Sequence, residues 1–329
     1  MILTAKELIK ATKEFSSESK FKSWLYTLST VLFLAATVTL TFAHLNIFIR
    51  LFLSILSGLL IGRTFVIYHD YQHGTILRKS RIAKIFMEIV GMYILAPPSV
   101  WKRTHNYHHK HNSKLFSASV GSYPIMTKEK YLNSTKLQRF SYLASRHPIT
   151  IGLGYLTIFF YGMCVSSFIS SPKRHYDSLI TIILHFAAAF LLIWFFGWLT
   201  FLLVMIIPFT IAFALGAYLF YAQHNFPGVM FKQNAKWTYE NAALASSSFM
   251  KMSRLMNWFT ANIGYHHIHH INARIPFYRL PEAMKKVPEL QHPKTTSLKI
   301  KDVIACFRLK IWDSEKEEMI SLRKLRKAI

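Results

Sequence analysis

Cysteine is nearly absent from this chain of 329 residues. It has two, Cys164 and Cys306, and no Cys-x-x-Cys pair, so neither a disulfide framework nor a thiolate metal site has the residues it needs. Acidic residues are scarce as well: 15 Asp and Glu stand against 40 Lys and Arg, a formal net charge of +25. Charged residues of both signs make up only 17% of the chain, 52% is hydrophobic, and the mean hydropathy is +0.24. Globular chains average roughly 25% charged residues, so a soluble basic protein is not expected, and the apolar content excludes intrinsic disorder. Charge and apolar residues must be segregated along the chain, as in a membrane protein, where surplus Lys and Arg report which side the loops occupy. No signal peptide is expected. The first 23 residues mix Lys6, Lys10, Lys13, Lys20 and Lys22 with Glu7, Glu14 and Glu18 and have neither an apolar core nor a small-residue cleavage site. There is no internal repeat and no low-complexity segment.

Crossing a hydrocarbon layer about 30 Å thick takes about 20 apolar residues in a helix. Residues 24–42, 47–67, 179–196 and 199–221 meet that requirement, as does 149–169, whereas 85–96 is too short and ends at Pro97-Pro98. The connections 43–46 and Gly197-Trp198 contain no Lys or Arg, while the basic residues crowd the N-terminal segment, the stretch 70–148 and the part after 221. The positive-inside rule then puts both termini and the middle in the cytoplasm. Three crossings between the middle and the C-terminal part would break that arrangement, so one of the three apolar stretches there does not span. Residues 149–169 are assigned that role, because the following loop carries Lys173 and Arg174. The expected fold is all-α, an integral membrane domain over 1–329 with four transmembrane helices in two hairpins and a cytoplasmic helical part. Segments 85–96 and 149–169 are embedded without crossing, and 299–329 reads as an amphipathic surface helix.

Among 16 His residues the placement is what informs. Three clusters stand out: His69-Asp-Tyr-Gln-His73 directly after the second span, His105-Asn-Tyr-His108-His109, and His266-His-Ile-His269-His270. Positions i, i+3 and i+4 of a helix share one face, so these spacings present two or three imidazoles side by side, as a metal site with several ligands requires. His224 follows the last span and adds a further imidazole at the same face. His267 falls outside the spacing, and His44, His111, His147, His175, His185 and His292 read as ordinary polar residues. Eight or nine neutral nitrogens exceed what one structural zinc takes and point to two ions sharing the set. Imidazole suits Zn, Cu, Fe and Ni alike. Zinc so ligated has no hydrolytic task beside a bilayer, whereas iron can activate O2 against unreactive C–H bonds. Asp70, Asn225 and Asn262 are candidates to orient a ligand or hold a water near it.

HDYQH, HNYHH and HHIHH, in this order beside two hydrophobic hairpins, resemble the three histidine boxes of the membrane fatty-acid desaturase superfamily. The resemblance covers most of the chain. The run from Gln223 to Phe226, the Trp237 region and the stretch from Asn262 to His270 are most similar to bacterial acyl-lipid desaturases. Where many members have Cys-Gly inside the first box, this chain has Tyr71-Gln72, a departure that bears on substrate. The resemblance implies two Fe ions held by the box histidines and by His224, O2 as co-substrate, and a cis double bond formed in the acyl chain of a membrane lipid. It leaves no catalytic residue beyond the ligands. No cytochrome b5 element is visible, so a separate electron donor such as ferredoxin, flavodoxin or cytochrome b5 is expected, docking on the basic face. A bacterial inner membrane fits better than endoplasmic reticulum, with the site on the cytoplasmic side. A lipid hydroxylase or carotenoid oxygenase on the same scaffold is the nearest rival, and a histidine-rich metal transporter or sensor is a rival of another class. Nucleic acid is not an expected partner, since no motif for it is present.

Overall fold

The computed structural model describes residues 4–115, 121–233 and 236–327. Helix α1 (Lys20–Phe42) starts at Ser19, whose hydroxyl accepts from the Lys22 N–H, and α2 (Ile47–Gln72) starts at Asn46, whose side chain accepts from the Phe48 N–H. The two lie antiparallel. Ser57 Oγ donates to Thr37 Oγ1 at 2.8 Å and Arg50 Nε to the Thr41 carbonyl at 2.8 Å. Their shared face is small and polar, with Thr27, Thr30, Thr37, Thr41 and Ser57 all buried, while Leu25, Leu28, Leu32, Phe33 and Leu40 point outward. The hydroxyls of Thr27, Thr30 and Thr41 donate to carbonyls four residues back, so burying them leaves no unpaired polar group. A helix pair with small residues inside and large apolar residues outside is the pattern of packing within lipid.

Among the described residues three helical runs are long and apolar enough to cross a membrane: α1, α2 and the 49 residues of Tyr176–His224. The last is not straight. Twenty-four residues of continuous helix would separate His185 from Phe209 by about 36 Å, yet their ring centroids are 5.6 Å apart. The run folds back at Gly197, whose φ of 76° and ψ of 171° suit glycine almost alone. It therefore comprises α5 (Tyr176–Phe201) and α6 (Ile207–His224), packed as a second hairpin. The tips of the two hairpins meet: the Phe42 and Phe196 rings are 4.7 Å apart, and Arg50 Nη2 donates to Thr200 Oγ1 at 3.1 Å.

Between the hairpins, α3 (Arg81–Tyr93) and α4 (Pro98–His111) meet at 87°. Proline at the first position of α4 has a preset φ and lacks only an N–H that would have been unpaired there. The apolar stretch 149–169 is a short helix, Pro148–Gly152, followed by a π-helical segment, Tyr155–Ser166, and one more turn, Ser167–Ser170. Helix dominates, but the all-α expectation needs correction at five short strands among the described residues. Met126–Thr127 pairs parallel with Ile311–Asp313, which pairs antiparallel with Glu318–Ile320, and Phe249–Lys251 pairs parallel with Thr295–Ser297. The tail expected as one surface helix is helical only at Ile300–Arg308 and Leu322–Lys327. Ile311 and Trp312 between them are buried. Alternating apolar residues in so short a stretch fit either period, and the pairing with Met126–Thr127 decides for the strand.

Candidate metal centre

Four elements deliver nine histidines to one place. The last turn of α2 carries His69, with His73 as its cap; α4 carries His105, His108 and His109; His224 is the last residue of α6; and α7 (His266–Ile271) carries His266, His269 and His270. The six residues of α7 are all buried. They are held down by the segment before them, where Gly264 passes so close to its neighbour that a Cβ would lie 2.7 Å from the Met250 carbonyl oxygen.

The imidazoles divide into two groups. His69, His73, His105, His109 and His269 form one, and His108, His224, His266 and His270 the other, with all ligand atoms of a group within 4.8 Å of one another. In the second group the Nε2 atoms form a closed ring, with His108 to His224 at 3.1 Å, His224 to His266 at 2.9 Å, His266 to His270 at 3.1 Å and His270 to His108 at 3.3 Å. In the first, His69 to His105, His105 to His109 and His109 to His269 are separated by 2.9, 3.1 and 3.0 Å. Each Nε2 of the ring has two close neighbours, but a neutral imidazole nitrogen either donates one proton or offers one lone pair. At most two of the four contacts can therefore be hydrogen bonds. A metal–imidazole bond of about 2.1 Å gives adjacent ligand nitrogens about 3 Å apart at right angles, which is the spacing found. His73 Nε2, in the first group, is buried with no hydrogen-bond partner. The donor set fits two divalent ions.

The far nitrogens fix the tautomers. Nδ1 of His224 donates to the Ser246 carbonyl at 3.1 Å and Nδ1 of His69 to Asp70 Oδ1 at 3.2 Å, while Nδ1 of His108 lies 2.6 Å from Ser122 Oγ, a hydroxyl able to donate or accept. The first two bonds leave the Nε2 lone pair directed into the site, and Ser122 accommodates the same tautomer of His108. Burial, reinforced by the neighbouring imidazoles, holds His266, His269 and His270 well below the ordinary imidazole value, and His73 at about 3. The rings are neutral at pH 7, as ligation requires.

Asp70 also accepts the Phe277 N–H at 2.7 Å through its second oxygen, so it ties the first histidine cluster to the segment after the third. The other two polar candidates are engaged elsewhere. Asn225 donates to the Cys306 carbonyl at 2.8 Å and accepts from Arg146 at 2.7 Å, and Asn262 donates to the Phe277 carbonyl at 3.1 Å. Among the remaining histidines, His267 bonds the Leu290 carbonyl, His111 stacks on Tyr107, and His185 meets the Tyr155 hydroxyl at 2.6 Å. Sequence reasoning did not reach Ser122, the Ser246 carbonyl, or Trp101, which stacks on His105 at 4.8 Å. Trp101 stands one turn before His105 on α4, and that spacing was the available signal.

His69, His105 and His266 open on a cavity of about 520 Å³. Its walls are apolar, with Phe65 and Val66 of α2, Phe159 and Met163 of the π-helical segment, and Phe213 and Leu219 of α6. An apolar cavity that opens on a polyhistidine site suits an alkyl chain whose unactivated carbons must be brought to metal.

A helical bundle of apolar hairpins capped by a histidine site for two metal ions defines a class of membrane-associated metal oxidoreductase. The family model described as fatty acid desaturase matches residues 45–298. A Bacillus subtilis protein named fatty acid desaturase is 30% identical over 98% of this chain and 92% of its own. An Anabaena variabilis sn-1 oleoyl-lipid 12-desaturase is 24% identical over 87% of this chain and 82% of its own, and a Nostoc sn-1 acyl-lipid omega-3 desaturase (ferredoxin) 23% over 71% and 66%. The chain belongs to the fatty acid desaturase family, and it is an oxidoreductase that unsaturates fatty acyl chains.

Proposed function

We propose that this desaturase forms a cis double bond in the acyl chain of a membrane lipid at a centre of two iron ions. The two histidine groups opening on one apolar cavity carry this reading. The nine histidines named above would hold the ions. Bound there, iron supplies O2-dependent oxidation of an unactivated C–H bond. Two hydrogens leave adjacent methylenes, and O2, two electrons and two protons complete the balance as two waters.

The chain's own residues do the rest. Asp70 and the Ser246 carbonyl keep His69 and His224 in the ligating tautomer, and the Ser122 hydroxyl accepts from His108 Nδ1 when that ring ligates through Nε2. Phe65, Trp101, Phe159 and Phe213 hold the acyl chain and exclude water, so that one pair of methylenes is presented. Methylenes carry no charge or hydrogen-bonding group, and position along the cavity is the only handle on them.

Four spans in two hairpins, with the site and both termini cytoplasmic, agree with the geometry of segment 149–169. Gly154 lies against Phe213 and Ala217 of α6, and the Met163 carbonyl accepts from Ser178 Oγ at 3.5 Å. Ser178 is seven residues from His185, and His185 meets Phe209, so Ser178 sits level with about residue 216 of α6. Gly154 and Met163, nine residues apart within the segment, are thus at about one depth, where a straight helix would advance about 13 Å, which supports an embedded, non-crossing role. The bacterial relatives favour an inner membrane. The electrons come from a separate donor, for which the basic cytoplasmic face provides steering that salt would screen.

The test is expression in a host lacking the activity, followed by profiling of its lipids. New cis-unsaturated acyl chains with the wild type, and none with His266→Ala, are expected. Hydroxylated chains instead would assign the hydroxylase reaction, and an unchanged profile with metal uptake would favour a transporter or sensor.

A further inference from the structure

We infer that Gly62 of α2 and Gly216 of α6 set how deep an acyl chain runs past the metal centre, and with it the chain lengths accepted. The inference rests on the cavity being the acyl site. Both residues stand in the interior of long helices, where glycine weakens the helix relative to alanine. Glycines nearby have a packing reason. At Gly58 a Cβ would lie 2.8 Å from the Pro208 carbonyl oxygen and 2.9 Å from Ile211 Cβ, and at Gly154 it would lie 2.7 Å from the Phe213 carbonyl oxygen. At Gly62 and Gly216 a Cβ would meet no atom within 4 Å, and neither residue has a positive φ. Both line the cavity. What the absent side chains leave is cavity space.

The level of the two positions follows from the helices. From their contact at Gly58 and Ile211, α2 and α6 run in the same direction to the histidines. Gly62 is four residues beyond Gly58 and Gly216 five beyond Ile211, rises of about 6 and 7.5 Å. The glycines therefore face the cavity at one depth, about 10 Å before His69 and about 12 Å before His224 along their helices. With C–C bonds of about 1.5 Å, an extended alkyl chain advances about 1.25 Å per carbon, so this level lies about eight to ten carbons from the centre. Below it the wall is Ile61 of α2 and Ala212, Phe213 and Leu215 of α6, with Phe159 stacked on Phe213 at 4.2 Å, and the two helices close at Gly58 and Ile211. The methyl end of the chain enters this closed apolar floor, because the polar head cannot be buried there without partners. A side chain at either glycine raises the floor.

The experiment expresses the wild type and the variants Gly62→Ala, Gly62→Val, Gly216→Ala and Gly216→Val in a host supplying myristoyl, palmitoyl and stearoyl lipids. Iron content and unsaturated products are measured together. The valine variants should keep wild-type iron, lower the ratio of stearoyl to myristoyl product by about tenfold or more, and move the double bond in the remaining long-chain product toward the methyl end. The alanine variants should shift the ratio the same way by less, and they keep the test open where a valine variant yields no iron-loaded protein. Gly58→Ala, which clashes in the helix contact, should lower stability and leave the ratio unchanged. Unchanged ratios, or losses equal across chain lengths, in variants with full iron would overturn the inference while leaving the acyl reading intact. A wild type that makes no unsaturated product would overturn both.

Discussion

Replacing Asp70 by Asn isolates what a carboxylate behind a ligand contributes. Asp70 accepts a hydrogen bond from His69 Nδ1 at 3.2 Å with one oxygen and from the Phe277 N–H at 2.7 Å with the other. An asparagine keeps the shape and one carbonyl oxygen. If that oxygen stays with Phe277, the NH2 group faces His69 Nδ1, a donor against a donor, and the imidazole is pushed toward the tautomer that protonates its ligating nitrogen. Loss of such an outer partner typically costs 10- to 100-fold in metal affinity, about 1.4 to 2.7 kcal/mol. Ser122→Ala removes a neutral bond behind His108, for which the expected loss is smaller, about 0.5–1.5 kcal/mol. Iron retention against a graded chelator, read by elemental analysis on detergent-purified protein, measures both. The order wild type, Ser122→Ala, Asp70→Asn is expected, with thermal unfolding of the iron-free protein little changed by Asp70→Asn. If Asp70→Asn protein kept iron as well as the wild type, or lost stability equally with and without iron, the reasoning would fail, because Asp70 would then serve only to anchor Phe277.

Acid should destabilise the iron-free fold. His267 is held near 4 and His73 near 3, chiefly by burial, against an ordinary value of 6.5. The unfolded chain binds more protons between those values, so stability is full above about pH 6.5 and declines as pH falls toward 4 and then 3. Unfolding midpoints of chelator-treated protein across that range check the sign, and a flat profile would contradict it. Gly197→Ala places a Cβ on a residue at φ 76° and ψ 171°. It should cost about 1–3 kcal/mol, seen as a lower unfolding temperature in detergent; an unchanged midpoint would show that the α5–α6 turn accepts another conformation.

The parts of this molecule written in local periodicity were readable from the sequence. Box spacing placed His105, His108 and His109 on one face of α4, and no chemistry beyond the 3.6-residue period was needed to see it. The charge-free connections marked both hairpin tips. The π-helical form of Tyr155–Ser166 was not legible, because its apolar residues suit any buried helix. The strand at Ile311–Asp313 depends on Met126–Thr127, about 185 residues earlier in the chain, and no window of sequence contains both. The division of the histidines has the same origin. His108 and His109 are neighbours in sequence but belong to different groups; successive helical residues point about 100° apart, and which side each group occupies is set by α6 and α7. Asn225 and Asn262 stand close to ligands in sequence, yet each is spent on a carbonyl of another segment. Proximity along the chain located the site but not the hydrogen bonds around it.

The central claim is that nine histidines hold two iron ions in two separate groups. Elemental analysis of protein purified from iron-replete cells tests it most directly, with His108→Ala alongside. The account predicts two iron ions per chain in the wild type and a loss of iron in the variant, because His108 supplies two of the four edges of the second group. A chain that comes out free of iron and takes up zinc selectively, or a His108→Ala variant that keeps both ions, would contradict it.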